Sequence, residues 1–142
     1  MASVIDFRDV AVGTELPRQS FVLTRDTLVR YAGASGDFNV IHWNERAARS
    51  VGLPDVIAHG MLTMAGAARV VTDWLGDPGA LLAYGVRFTR PVPVPDDGSG
   101  ATVDVSARVT ELLDERRVRI ELTATCGGQK VLGMARALAQ LR

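Results

Sequence analysis

Cysteine and histidine are almost missing from this chain of 142 residues, which has one cysteine, Cys126, and two histidines, His42 and His59. One thiol cannot close an internal disulfide, and no Cys/His cluster has zinc-ligand spacing, so neither a disulfide scaffold nor a metal site is expected. That favours a reducing, cytoplasmic setting, with no metal or cofactor. Charge of one sign is not in excess either: 16 basic residues balance 16 acidic ones. No global field steers the protein toward nucleic acid or an anionic membrane, and the basic stripe and aromatic platforms of a nucleic-acid binder are lacking. Long hydrophobic runs are absent. The segment from Met1 to Asp9 acquires charge at Asp6 and Arg8, which suits neither a signal peptide nor a membrane span of about 20 apolar residues. The length leaves no room for a second ordinary domain, so residues 1–142 are expected to share one core.

What is present is a change of period along the chain. Gly13 to Leu23 gives a weak strand signal through Leu16, Phe21 and Leu23. Thr24 can cap a helix carrying Leu28, Val29, Tyr31 and Ala32, which Gly33 and Gly36 end. A short helix from Asn44 to Ser50 has Asn44 as its cap, Glu45 in its first turn and Gly52 just beyond. Ala58 to Leu75 reads as a long helix that is apolar over most of its circumference, with a thin polar stripe at Thr63, Arg69 and Thr72; such a helix must be largely enclosed by protein. Its small residues Gly66, Ala67 and Ala68 suit close packing on a sheet, and Gly76-Asp77-Pro78-Gly79 stops it.

After that the pattern alternates, which predicts an antiparallel meander. Val86 and Phe88, with Leu82, mark a strand ended by Pro91, Pro93 and Pro95. Val103, Val105, Ala107 and Val109 face one way in the next strand, and Val118, Ile120, Leu122 and Ala124 repeat the pattern in the one after it. Gly127-Gly128 makes a hairpin turn. The last strand, Lys130 to Leu141, is apolar on both faces and belongs at the sheet centre or a subunit contact. The expectation is an α+β domain, one curved antiparallel sheet with a long helix against its concave face. Pairing of two such sheets at their edges predicts a dimer.

Both histidines stand in chemically suggestive company. Asp37 and His42 are separated by the short non-periodic stretch Phe38-Asn39-Val40-Ile41, which can aim a carboxylate and an imidazole at one point; the plainer alternative is a turn-forming Asp and a His that opens a surface helix. His59-Gly60-Met61-Leu62 opens the long helix, where free N–H groups and the positive dipole end favour an anion. Gly60 lets a ligand approach the backbone, although a packing glycine beside a satisfied polar His59 fits the same residues.

Tyr31-Ala32-Gly33-Ala34-Ser35-Gly36-Asp37-Phe38-Asn39-Val40-Ile41-His42, followed by Ala48, resembles the signature of the MaoC-like (R)-specific hydratases of the hotdog fold. Ala58-His59-Gly60-Met61-Leu62 resembles that family's second hallmark, and Val86-Arg87-Phe88 with Pro91-Val92 its strand leaving the central helix. Thr63-Met64, Trp74 to Ala80 and Val92-Pro93-Val94-Pro95 with Asp97-Gly98 are similar to the B-type subunit of the mycobacterial (3R)-hydroxyacyl-ACP dehydratase, the catalytic half of a heterodimer. Two departures stand out: Val40 replaces the usual proline after the asparagine, and Ala68 stands where some short-chain hydratases carry a serine. The resemblance implies a single hotdog domain that adds water to an enoyl thioester, or removes it from a 3-hydroxyacyl thioester, on CoA or acyl carrier protein, as a homodimer or hotdog heterodimer.

It also implies roles. Asp37 and His42 form the acid/base pair, with an imidazole of ordinary pKa near about 6.5 suited to accept a proton at neutral pH, and the Gly60 N–H stabilises the charge that develops on the thioester oxygen. Asn39, His59 and Met61 become substrate-binding residues. Met61, Met64, Leu81 and Leu82 are expected along an acyl tunnel, Met adapting to variable shapes, and Arg87, Arg90 and Arg136 near the carrier's anionic groups. Two other functions use the same residues: a hotdog thioesterase, and a non-catalytic partner subunit, against which the presence of both Asp37 and His42 argues.

Overall fold

The computed structural model describes residues 3–142; Met1 and Ala2, part of the N-terminal segment read above, lie outside the described residues. The strongest helical period becomes α3, Gly60–Leu75. It starts two residues later than the apolar run, because Ile57 and Ala58 are drawn into extended pairing with another segment. Residues Thr63, Ala67, Val70, Val71 and Leu75 are its buried positions, the spacing of one helical face laid on a sheet. The polar stripe expected at Thr63, Arg69 and Thr72 is therefore placed differently. Thr63 is turned into the protein, and the outward stripe runs through Met61, Ala65, Arg69 and Asp73.

Five strands form the main path of the sheet, in the order β1 (Gln19–Leu23), β3 (Ala101–Leu113), β4 (Arg117–Cys126), β6 (Leu132–Gln140) and β2 (Leu81–Phe88), with the short β5 (Gln129–Lys130) paired to β4. All pairings are antiparallel. Alternation puts Val103, Val105 and Val109 of β3, Val118 and Ile120 of β4, and Ala135, Ala137 and Ala139 of β6 in the core beneath α3, while the charged partners between them face outward. The arrangement is a curved sheet around one central helix, the hotdog fold. Small residues set how closely the layers approach. A Cβ on Gly66 would lie 2.5 Å from the Phe21 ring of β1, so a glycine there is what allows α3 to rest on that strand.

The meander expectation holds for β3, β4 and β6 but not for β2, which lies at the far edge beside β6. The chain must cross from that edge to β3, and the prolines explain how. Pro91, Pro93 and Pro95 have no N–H to donate to a ladder, yet the residues between them pair, Val94 as donor and Val92 as acceptor. Val94 N–H donates to the Val56 carbonyl at 2.9 Å and Ala58 N–H to the Val92 carbonyl at 2.9 Å. The segment thus lies as a strap along residues 56–58, with Val92 and Val94 buried. Arg25 fastens this corner: its Nε donates to the Val94 carbonyl at 2.6 Å and its guanidinium pairs with Asp55 at 2.6 Å. β6 occupies the interior position expected of a strand apolar on both faces, although Arg136 and Met134 point outward. Met134 takes a positive φ of 46° where the β2–β6 register slips between Gly85 and Arg87, a bulge that twists this rim.

Two shorter helices frame the loop between them. Thr24 caps α1 (Arg25–Ser35) through a capping box with Thr27, and Gly36 ends it in the left-handed region at φ 77°. Such a C-cap suits glycine and sends the chain sharply into the segment holding Asp37. Asn44 accepts the Ala47 N–H to start α2 (Glu45–Ser50). Among the described residues, no helix is long and apolar enough to cross a membrane.

Candidate active site

Between Gly36 and Asn44 the chain is held mostly by its own short side chains. Asp37 Oδ1 accepts the Asn39 N–H at 3.1 Å, and Asn39 Oδ1 accepts the Ile41 N–H at 3.3 Å, starting a one-turn 3-10 helix, Val40–His42. That turn swings His42 inward, leaving it 7% exposed. Its Nδ1 lies 2.7 Å from the Ile57 carbonyl. A carbonyl only accepts, so Nδ1 carries a proton, and in the neutral ring Nε2 is the nitrogen with the lone pair. Nε2 faces Asp37 Oδ2 at 3.9 Å, too far for a direct hydrogen bond. The Asp37 side chain is half exposed, at 51%, so the pair sits between bulk solvent and the interior.

A cavity of about 290 Å³ opens beside His42. Gly60, Thr63, Phe88, Arg90 and Leu132 are among its walls, which brings together the start of α3, the end of β2, the proline strap and the start of β6. Gly60 is the first residue of α3, and its N–H has no protein acceptor among the described residues. It is one of the orphan donors at a helix start, at the end where the dipole favours negative charge. The absence of a side chain there has a steric reason as well, since a Cβ on Gly60 would press on the Phe88 ring at 3.0 Å.

His59 stands apart from the cavity. It is 1% exposed, with Nε2 at 3.1 Å from the Asp37 carbonyl and its ring stacked on that of His42 at 3.8 Å and 23°. The Tyr31 ring meets it edge-on at 4.7 Å. Burial pushes its pKa below the usual histidine value, the neighbouring His42 adds to that, and the contacts with Asp37 oppose it. Ligand groups of Asp37, His42 and His59 lie within 4.8 Å of one another, so chelation of a cation has to be tested. An imidazole binds a metal in its ring plane along a nitrogen lone pair. Two rings stacked face to face, at 3.8 Å and 23°, set their in-plane lone pairs side by side rather than aimed at one ion.

Of the residues singled out in the sequence, His42 and Gly60 line one cavity, and Asp37 faces His42 Nε2 at 3.9 Å without being among its walls. Direct substrate contact by His59 is not what the geometry offers, because it lies behind His42 and touches only protein. Met61 is 58% exposed on the outer face of α3 and Asn39 serves as the cap of the 3-10 turn; neither lines the cavity. The apolar walls come instead from Phe88, Val92, Val131 and Leu132, because the side chains α3 turns toward the sheet are Thr63 and Ala67 rather than Met61 and Met64. Of the three arginines, Arg90 reaches the cavity rim, while Arg87 and Arg136 line a groove on the outer face of the sheet. Thr63 was missed as a wall residue; its position three residues after Gly60, on the same face, was the available signal.

A hotdog domain with an imidazole and a free helix-start amide on one cavity, and a carboxylate facing that imidazole, has groups suited to acid/base chemistry, and known proteins narrow the class. Residues 9–125 match the model of the MaoC like domain family. The chain is 33% identical over 141 residues to the 3-hydroxybutyryl-CoA dehydratase of Methylorubrum extorquens, spanning 97% of this chain and 85% of that one. It is 30% identical to the (R)-specific enoyl-CoA hydratase of Rhodospirillum rubrum, over 89% of this chain and 85% of that one. A solved MaoC-like dehydratase superposes with a TM-score of 0.93 at 42% identity, covering 96% of this chain and 42% of that longer one. This chain belongs to the MaoC-like domain family and is a hydro-lyase of the hydratase/dehydratase class.

Proposed function

We propose that residues 1–142 form one MaoC-like domain that adds water reversibly to a 2-enoyl thioester of CoA or acyl carrier protein, giving the (R)-3-hydroxyacyl thioester, with Asp37 and His42 as the acid/base pair. The observation that carries this reading is the 3.9 Å gap between His42 Nε2 and Asp37 Oδ2. One water fits in hydrogen-bond contact with both atoms across such a separation. In hydration that water's oxygen bonds to Cβ as its proton passes to the pair, and a proton returns from the pair to Cα on the same face. Dehydration reverses each step. The Nδ1–H bond to Ile57 presents the Nε2 lone pair to the water and leaves it a firm partner while charged.

Charge that builds on the thioester oxygen falls to the Gly60 N–H, which lies at the cavity wall and has no protein acceptor of its own. Loss of one such donor typically costs about 10²- to 10³-fold in rate. The acyl chain takes the apolar end of the cavity at Val92, Val131 and Leu132, and Arg90 at the rim suits the anionic carrier. Asn39 acts through the shape of the loop rather than by proton transfer. The edge strand β2, with Leu82 and Phe88 exposed, and the outward Met61 of α3 support pairing with a second hotdog domain, identical or not. A cytoplasmic site of action suits the single cysteine, Cys126.

Purified protein assayed on enoyl-CoA and enoyl-carrier substrates of graded length, by loss of the conjugated enoyl absorbance, tests the reading directly. Asp37→Asn and His42→Ala each lower turnover by at least about 10²-fold with unchanged circular dichroism. Full activity in both variants overturns the assignment, and release of free thiol without enoyl hydration assigns the fold to thioester hydrolysis instead.

A further inference from the structure

We infer that His59 is a positioning residue for the reaction: packed behind His42, it fixes where the Asp37 loop and the His42 ring stand relative to the Gly60 amide. This rests on the roles proposed above for Asp37 and His42. The side chain meets three parts of the site at once. Its Nε2 is 3.1 Å from the Asp37 carbonyl, which, as an acceptor, requires the proton on Nε2. Its face lies on His42 at a centroid distance of 3.8 Å, and its edge is braced by Tyr31 of α1 at 4.7 Å. Its backbone directly precedes Gly60, at the cap of α3.

Trp43 Nε1 donates to the Phe38 carbonyl at 2.9 Å, but that bond stays inside the loop and does not reach α3. The remaining bonds of the Asp37 and Asn39 stretch run within the loop or to Ser35, and the His59 N–H is the one hydrogen bond to the Asp37 carbonyl among the described residues. Without it the carboxylate swings on a loop whose side chains are exposed. The stack supplies the second constraint, because a flat ring at van der Waals distance stops His42 from tilting about its Nδ1 bond to Ile57. A neutral ring suits this place: a second cation stacked on His42 would oppose proton uptake by the base. The cap position explains why a ring, rather than an ordinary capping side chain, opens α3. His59 makes no side-chain cap bond; its own carbonyl accepts the Leu62 and Thr63 N–H groups at 3.0 and 3.2 Å, and the Gly60 N–H is left to the cavity. Its Nδ1 is buried without a partner, a cost that an apolar ring would avoid.

The test compares His59→Phe, which keeps the stack and loses the N–H, with His59→Gln, which keeps an N–H donor and loses the ring. Each is expected to lower kcat by about 10-fold or more while KM for the enoyl thioester changes by less than about threefold, because neither removes a group that touches substrate. His59→Ala, lacking both, falls further than either. Nitrogen NMR of the wild-type protein should find the His59 proton on Nε2 and the ring neutral at the pH of the assay. Unchanged kcat in both His59→Phe and His59→Gln overturns the inference, as does a His59 ring found protonated near neutral pH or with its proton on Nδ1. Asp37→Asn measured alongside separates the two levels: if it stays active, the acid/base reading fails, whereas the NMR result stands independently of any activity.

Discussion

Replacing Gly66 by alanine sets two effects against each other, and the structure decides between them. Helix propensity alone favours the change, since glycine within a helix costs roughly 0.5–1 kcal/mol relative to alanine. Packing opposes it. The new methyl would stand 2.5 Å from Phe21 Cζ, 2.7 Å from Cε2 and 3.0 Å from Cε1, so the ring tip must retreat by about 1 Å to reach ordinary contact. Phe21 belongs to β1 and packs against the core, which limits its retreat, and overpacking of this kind costs about 1–3 kcal/mol. The expected net effect is a loss of about 1 kcal/mol, seen as a fall in Tm of about 3 °C for a domain of this size. Urea unfolding of the Phe21→Leu, Gly66→Ala and double variants measures the coupling. With the ring gone, Gly66→Ala should become neutral or stabilising, giving an interaction of about 1–2 kcal/mol. A stability gain from Gly66→Ala in the wild-type background would refute the claim that this glycine exists to let α3 meet the sheet.

Thr63→Val, nearly isosteric, removes a hydroxyl that is buried without a protein partner, on a residue 2% exposed. It is expected to raise stability by about 1 kcal/mol, and a drop in Tm of several degrees would mean that the hydroxyl makes a bond the fold relies on. Stability should also depend on pH through His59. Burial holds its folded pKa below the ordinary histidine value, so its contribution is intact above about 6.5, where the unfolded chain is neutral too. As pH falls below that, the unfolded state takes up a proton the native state resists, and stability declines by at most about 1.4 kcal/mol per pH unit until the native pKa is reached. Denaturant midpoints between pH 8 and pH 5 in wild type and His59→Phe check this, and parallel curves for the two proteins would rule it out.

Local residue choices spelled out much of the architecture. Thr24 and Asn44 act as the caps their side chains suggested, Gly36 and Gly76 end their helices in the left-handed region, and the alternating apolar residues of β3 and β4 face the core as their period requires. The two segments that hold the proposed site residues were legible for the same reason, since a loop chemistry and a helix start are both short-range features. The path of β2 was not. Whether a strand lies beside its sequence neighbour or at the opposite edge depends on which partners offer hydrogen bonds after the whole sheet has formed, and the proline strap, with bonds only at Val92 and Val94, shows its role once residues 56–58 are in place.

The side of α3 that carries chemistry was likewise beyond the periodicity. A helix apolar nearly all round gives a weak orientation signal, so Thr63 read as part of a polar stripe and Met61 as part of a tunnel wall, and the packing of Gly66 on Phe21 reversed both. By itself, then, the chain order determined the elements, their caps and the pairing of an acid and an imidazole on one loop, because each is fixed by neighbours within a few residues. Only the tertiary structure decided that His59 lies under His42, that the Asp37 carbonyl accepts its ring N–H, and that Phe88 closes over Gly60. Those contacts join residues from separate elements, and their distances exist only once the helix is seated on the sheet.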